Sequence, residues 1–272
     1  MSLVSTDWLE KNLDKVKIID CSWHMPETNR NGFHEYQDQH IKNAIFFDLD
    51  ENSRADIDLP HMLTNKKSWE EIVSNMGIES GDKIIIYDNS DVISSCRCWY
   101  NFIYFGHDPS LVHVLDGGLK KWLNEKKLVV NNLTITIKSN YVANEKKELV
   151  KSKKQIDDNI DTNNFNVIDA RSIDRFKGKV REPRKGLRSG SIKNSFCLPF
   201  SDLINEDHTF INKKKILEKF KLTECELDKK IIFTCGSGVT ASVLALAYSL
   251  IDNKYMPTIY DGSWSEYGKF KL

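Results

Sequence analysis

Short apolar runs alternate along this chain with longer stretches whose apolar residues fall at helical spacing. Asp7 to Leu13 predicts a short helix with Ser5 or Asp7 as its cap. Val16-Lys17-Ile18-Ile19-Asp20 predicts a strand, left by a loop from Cys21 to Pro26. Phe33 to Gln39 reads as helix, Ile45-Phe46-Phe47 as strand, and Asp48 to Pro60 as a polar loop before His61. Trp69 to Met76 has helical spacing closed by Gly77, and Ile84-Ile85-Ile86-Tyr87 is a buried strand. Ser94 to Phe105 predicts a helix stopped by Gly106, then come a strand at Val112–Leu115 and a helix over Leu119–Leu123. Cys96 and Cys98 are two positions on the Ser94 helix, and no second pair completes a zinc site. Strands and helices alternating in this way imply an α/β fold: a parallel sheet with helices on both faces.

The pattern then starts again. Phe165-Asn166-Val167-Ile168-Asp169 answers Val16–Asp20, and Ser191-Ile192-Lys193-Asn194-Ser195 answers His40-Ile41-Lys42-Asn43-Ala44. Lys230-Ile231-Ile232-Phe233-Thr234-Cys235 lines up with Lys83–Asp88, and Ile259-Tyr260-Asp261-Gly262-Ser263 with Val114-Leu115-Asp116-Gly117-Gly118. The offsets stay between 145 (Asp116 to Asp261) and 151 (His40 to Ser191). Two tandem copies of one domain follow, at 1–130 and 151–272. The join, 131–150, is polar and Lys-rich with a β-like run at Leu133–Ile137, as suits an exposed linker.

The copies differ in chemistry at one point. Where the first has Asp88, the second has Cys235, then Gly236-Ser237-Gly238 and a helix-forming stretch from Val239 to Leu250. A strand that stops at a cysteine and turns through Gly-x-Gly into a helix aims several backbone N–H groups at one spot. The glycines let the loop curl around the sulfur. The helix adds its positive end, which favours an anion there. Cys235 is therefore the candidate nucleophile, and only the second copy can do thiol chemistry.

Composition narrows the setting. Lys+Arg and Asp+Glu both number 39 in 272 residues, so zero net charge argues against nucleic acid or an acidic membrane as partner. No apolar stretch is long enough to span a bilayer, and Met1 to Asp7 has neither a basic nor an apolar targeting region. Six cysteines in a chain read as unexported imply thiols rather than a disulfide framework, and a cytoplasmic protein is expected.

The loop Cys235-Gly236-Ser237-Gly238-Val239-Thr240-Ala241, the duplication and the Asp-for-Cys exchange resemble the two-domain rhodanese-like sulfurtransferases, most closely the 3-mercaptopyruvate branch. Asp20-Cys21-Ser22-Trp23, Leu115-Asp116-Gly117-Gly118, Asp169-Ala170-Arg171, Glu182-Pro183-Arg184 and Tyr260-Asp261-Gly262-Ser263-Trp264 carry the resemblance across nearly the whole chain. It implies two rhodanese-like domains, the second catalytic. Cys235 would take sulfur from 3-mercaptopyruvate as a persulfide, release pyruvate, and pass the sulfur to cyanide or to a thiol such as a thioredoxin or low-molecular-weight thiol. Arg175 and Arg184 match the family's arginines that hold the donor's carboxylate and keto oxygen, a planar anion that suits a guanidinium fork. Ser237, His61 and Asp50 match a proton relay. Gly236, Gly238, Val239 and Thr240 would complete the substrate-binding loop. The resemblance implies no metal, no cofactor, no nucleic-acid partner and no membrane.

There are departures and rivals. The second copy has Ser191-Ile192-Lys193-Asn194-Ser195 where the family usually has His-Ile-Pro-Gly-Ala, and the first keeps His40 but has Lys42-Asn43 for Pro-Gly. These shape a turn behind the sheet, so local stability rather than activity should change. Thiosulfate-using relatives typically carry basic residues after the cysteine, whereas here Gly and Ser follow. A protein-tyrosine phosphatase needs an arginine where this chain has Ala241, and that reading fails. A non-catalytic interaction module is a fair description of the first copy, but Cys235 with both glycines speaks against it for the second.

Overall fold

The apolar runs become strands. The structure is a computed structural model that describes residues 2–270, and it divides into two units. One comprises Met1–Ala55, Leu63–Lys146 and Asn205–Phe210, the other Asp56–Met62, Lys147–Ile204 and Ile211–Leu272.

In the first unit the strands are β1 (Leu3–Val4), β2 (Lys17–Asp20), β3 (His40–Ile41), β4 (Ala44–Phe46), β5 (Ile84–Tyr87), β6 (Val112–Leu115) and β7 (Val129–Val130). Five form a wholly parallel sheet in the order β1-β6-β5-β2-β4, with Ile18 facing Ala44 on one side and Ile85 on the other. β3 and β7 make a separate antiparallel ribbon. The helices are α1 (Thr6–Glu10), α2 (Gly32–Asp38), α3 (Lys66–Asn75), α4 (Ser95–Tyr104) and α5 (Gly118–Asn124). Ser5, Asn31 and Asn65 cap the first three, each side chain accepting a backbone N–H of the first turn. α1 stops at Glu10, short of the expected Leu13, because the Asn12 side chain takes the Trp8 carbonyl and diverts the chain into a turn. Ile18, Ile85, Tyr87 and Leu115 pack with Leu9 and Trp122, while Ile84 and Ile86 are fully buried as well. Continuous apolar runs belong to a sheet covered on both faces.

The second unit repeats the plan. β8 (Val150–Lys151), β9 (Asn166–Asp169), β10 (Phe196–Cys197), β11 (Ile231–Thr234) and β12 (Ile259–Tyr260) pair in parallel in the order β10-β9-β11-β12-β8. Read from the other end, the first sheet has the same order with each strand replaced by its repeat counterpart. The helices are α6 (Lys153–Thr162), α7 (Ile173–Phe176), α8 (Lys213–Lys221), α9 (Val239–Ile251) and α10 (Ser263–Tyr267). Val167, Ile232, Tyr260 and Trp264 form part of its core with Ile156 of α6. Cys96 and Cys98 do lie on a helix, α4.

Leu133 to Ile137 forms no strand. Thr136 gives its hydroxyl proton to the Asn75 carbonyl and the Ser139 N–H goes to the Ser74 carbonyl, so this stretch is tied to the end of α3 instead of a sheet edge. Ile135 and Ile137 are left 93% and 87% exposed.

Candidate active site

β11 ends at Thr234, and Cys235 is the first residue beyond it, buried with 2% of its surface exposed. The two glycines that follow serve different ends. Gly238 sits at φ 81°, in the left-handed region that penalises a side chain, and caps α9. Gly236 has no such torsion but is short of space. A Cβ there would stand 3.3 Å from Nη2 of Arg175 and 3.6 Å from Nη1 of Arg184. The loop carbonyls are already bonded. Cys235 O accepts the Trp264 N–H at 2.9 Å, Gly236 O accepts the Ser265 N–H at 2.8 Å, and Gly238 O accepts the Ser242 hydroxyl at 2.9 Å. The N–H groups of the first turn of α9, at Val239 and Thr240, have no helical acceptor and favour an anion at this end. α9 is buried from Ala241 to Tyr248, which fixes its axis in the core.

Both predicted arginines reach this loop. Arg175 donates through Nε and Nη2 to Glu182, at 3.2 and 2.6 Å, and the same carboxylate takes Nη1 of Arg171 at 2.8 Å. Arg171 is fixed in turn by Asp169 (Nη2 at 2.7 Å, Nε at 3.0 and 3.1 Å), by the Gly190 carbonyl at 2.8 Å, and by the Trp264 ring 4.4 Å beneath its guanidinium. Burial alone would lower the pKa of Arg171, but the bonds and charge of Asp169, with Glu182, win and hold it raised. Arg171 and Glu182 thus aim Arg175. Reading the sequence assigned them no site role; the signal available was an acid and a base two apart at the end of a buried strand, Asp169-x-Arg171.

Ser237 and His61 also meet. Nδ1 of His61 lies 2.8 Å from the Ser237 hydroxyl oxygen, and both residues are buried. Nη2 of Arg184 donates to the same oxygen at 3.4 Å. Ser237 thus bonds both His61 and Arg184, and where Nδ1 of His61 carries no proton the serine gives its own to that nitrogen. His61 takes the left-handed φ of 58°. Asp50 belongs to the first unit, where its carboxylate accepts the Trp23 indole N–H at 2.9 Å. Among the described residues no cluster of His, Cys, Asp and Glu could hold a metal ion, and no helix is long and apolar enough to cross a membrane.

A family model for the rhodanese-like domain matches residues 5–125 and again 152–269. The chain belongs to the rhodanese-like family. It is 36% identical to thiosulfate/3-mercaptopyruvate sulfurtransferase 1, mitochondrial, of Arabidopsis thaliana, over 97% of this chain and 75% of that protein. It is 32% identical to mouse 3-mercaptopyruvate sulfurtransferase, over 98% of this chain and 91% of the relative. Among solved structures, SseA of Escherichia coli, described as a 3-mercaptopyruvate sulfotransferase of the rhodanese fold, superposes with a TM-score of 0.88 at 30% identity, covering 98% of this chain and all of SseA.

The first rhodanese-like copy shows what the loop becomes without its cysteine. Asp88 is buried, and its carboxylate accepts the N–H groups of Ser90 and Ser95, both at 2.8 Å. Burial raises its pKa. In the first copy the carboxylate of Asp88 thus takes up backbone N–H groups of its own loop. The space beside it, about 10 Å³, has room for one water at most. Burial drives the thiols of Cys21 and Cys96 well up and that of Cys197 up to about 12.

Proposed function

We propose that this enzyme transfers sulfur from 3-mercaptopyruvate to a thiol or to cyanide through a persulfide on Cys235. One observation carries the donor assignment: two guanidiniums flank Gly236, while the loop itself holds no cation. Mercaptopyruvate keeps its carboxylate several atoms from the reacting sulfur, where Arg175 and Arg184 can grip it. The Cys235 thiolate attacks the donor's sulfur; the new S–S bond forms as the C–S bond breaks. The electron pair passes into the carbonyl and leaves pyruvate's enolate. The proton on the transferred sulfur moves through Ser237 and His61 to the enolate carbon, giving pyruvate and an ionised persulfide. An acceptor thiolate then takes the outer sulfur and regenerates Cys235. No step is assigned to Asp50. Gly236, Gly238, Val239 and Thr240 contribute backbone to the substrate loop. The expected acceptor is a thioredoxin or low-molecular-weight thiol.

Thiosulfate is the rival donor, since the Arabidopsis relative's name includes it. It is a compact dianion with its charge next to the transferred sulfur, and Gly236-Ser237-Gly238 carries no side-chain cation of its own. Beyond N–H groups and a helix end worth about 0.3–2 kcal/mol, it has only Arg175 and Arg184, which are placed for a carboxylate farther from the sulfur. kcat/KM for mercaptopyruvate should therefore exceed that for thiosulfate by at least about tenfold, roughly 1.4 kcal/mol. Arg184→Ala should remove most of that preference by damaging mercaptopyruvate turnover and sparing the weak thiosulfate activity. Equal steady-state efficiency with both donors in the parent enzyme would sink the assignment. We place the enzyme in the cytoplasm; cell fractionation that finds it in mitochondria, as the Arabidopsis relative is named, would overturn that part.

A further inference from the structure

We propose that Ser263 is a positioning residue: its hydroxyl, held beneath the loop in a left-handed backbone conformation, fixes the direction of Cys235 and with it the rate of sulfur loading. This rests on Cys235 being the sulfur-carrying nucleophile.

Ser263 has no exposed surface and sits at φ 48°, where a side chain is strained. Its counterpart in the first copy is Gly118, at φ 56°. The backbone around the two is alike, since Leu119 N donates to Asp88 O and Trp264 N to Cys235 O, each at 2.9 Å. In the first copy a Cβ on Gly118 would stand 2.5 Å from the Asp88 carbonyl oxygen, so glycine is required there. The catalytic copy accepts a strained side chain at the same place. What the strain secures is a hydroxyl: its oxygen accepts the Cys235 N–H at 3.2 Å and the Thr234 hydroxyl at 3.4 Å, and its proton goes to the Tyr260 carbonyl at 2.8 Å. All its bonding capacity is used. The buried Cys235 N–H, at the exit of the strand, thereby gains its acceptor. The first copy does without this hydroxyl, because Asp88 braces its own loop through Ser90 and Ser95. The hydroxyl occurs where the loop must stay open and still hold a sulfur in one direction.

Two variants separate positioning from folding. Ser263→Gly installs the first copy's residue and relieves the left-handed backbone, which offsets part of the cost of leaving the Cys235 N–H and the Tyr260 carbonyl without the hydroxyl. Ser263→Ala keeps the strain and loses the hydroxyl. Single-turnover pyruvate release and persulfide mass are followed after mixing with mercaptopyruvate, and in parallel with thiosulfate. A folding fault lowers the amplitude of the trace, whereas a positioning fault lowers its rate constant. The rate constant should fall at least about tenfold in both variants, with amplitude near that of the parent and donor KM within about twofold, since Glu182 rather than Ser263 holds Arg175. A parental rate constant in Ser263→Gly, or a loss confined to amplitude, overturns the inference. Failure of the parent protein to load sulfur from either donor would instead overturn the function on which it rests.

Discussion

A Cys235→Ser variant is expected to fold as the parent does and to transfer no sulfur. The loop is held through its backbone: the Cys235 N–H goes to Ser263, its carbonyl to Trp264, and the Gly236 carbonyl to Ser265. A hydroxyl in place of the thiol disturbs none of these, so melting temperature and far-ultraviolet dichroism should be unchanged. The chemistry has no substitute, because an alcohol cannot carry a persulfide sulfur. Treated with donor, the parent should gain about 32 Da, one sulfur atom, and the variant nothing. Cys21, Cys96 and Cys197 cannot take over readily, since burial disfavours their thiolates. A persulfide mapped to any of those three would refute the choice of nucleophile.

The sheets were legible because they are buried on both faces, which makes strands such as Ile84–Tyr87 and Ile231–Thr234 continuous apolar runs. The duplication was legible for the same reason, and it located Cys235 against Asp88. Four helices of the second unit, α6, α7, α8 and α10, were not. α7 and α10 are a single turn or little more, and α6 and α8 bury only Ile156, and Ile216 with Phe220, in segments otherwise dominated by charged and polar residues. Leu133–Ile137 misled in the opposite way: its apolar residues alternate, but a strand needs a partner edge and this stretch has none. At the candidate site, the residues proposed for their intrinsic chemistry could be named in advance, and the structure brings Ser237, His61, Arg175 and Arg184 to the Cys235 loop. Arg171, Glu182 and Ser263 act by holding those residues, and their roles depend on distances that spacing along a chain does not encode.

The largest loss of stability should come from Arg171→Met. Arg171, Asp169 and Glu182 each keep only 1% of their side-chain surface exposed, so their charges have left water almost completely. Once that desolvation has been met, the network stands only while every member has its partner. Removing the guanidinium leaves the partners unequal. Glu182 retains Arg175 at 2.6 Å, while Asp169 loses all three side-chain bonds it receives from Arg171. A buried carboxylate stranded in this way costs about 3–5 kcal/mol, and the Gly190 carbonyl is orphaned with it. Unfolding of the second unit should therefore shift down by on the order of 10 °C. Methionine fills much of the arginine's volume, so the deficit belongs to charge rather than to a cavity, and a second substitution tests this. Asp169→Asn alone should also destabilise, by leaving Arg171 short of its anion. Combined with Arg171→Met it removes both charges, and the double variant should recover much of the stability that Arg171→Met loses. If the two losses simply add in calorimetry, then the pair is not coupled and the buried network does not hold Arg175 in place by charge.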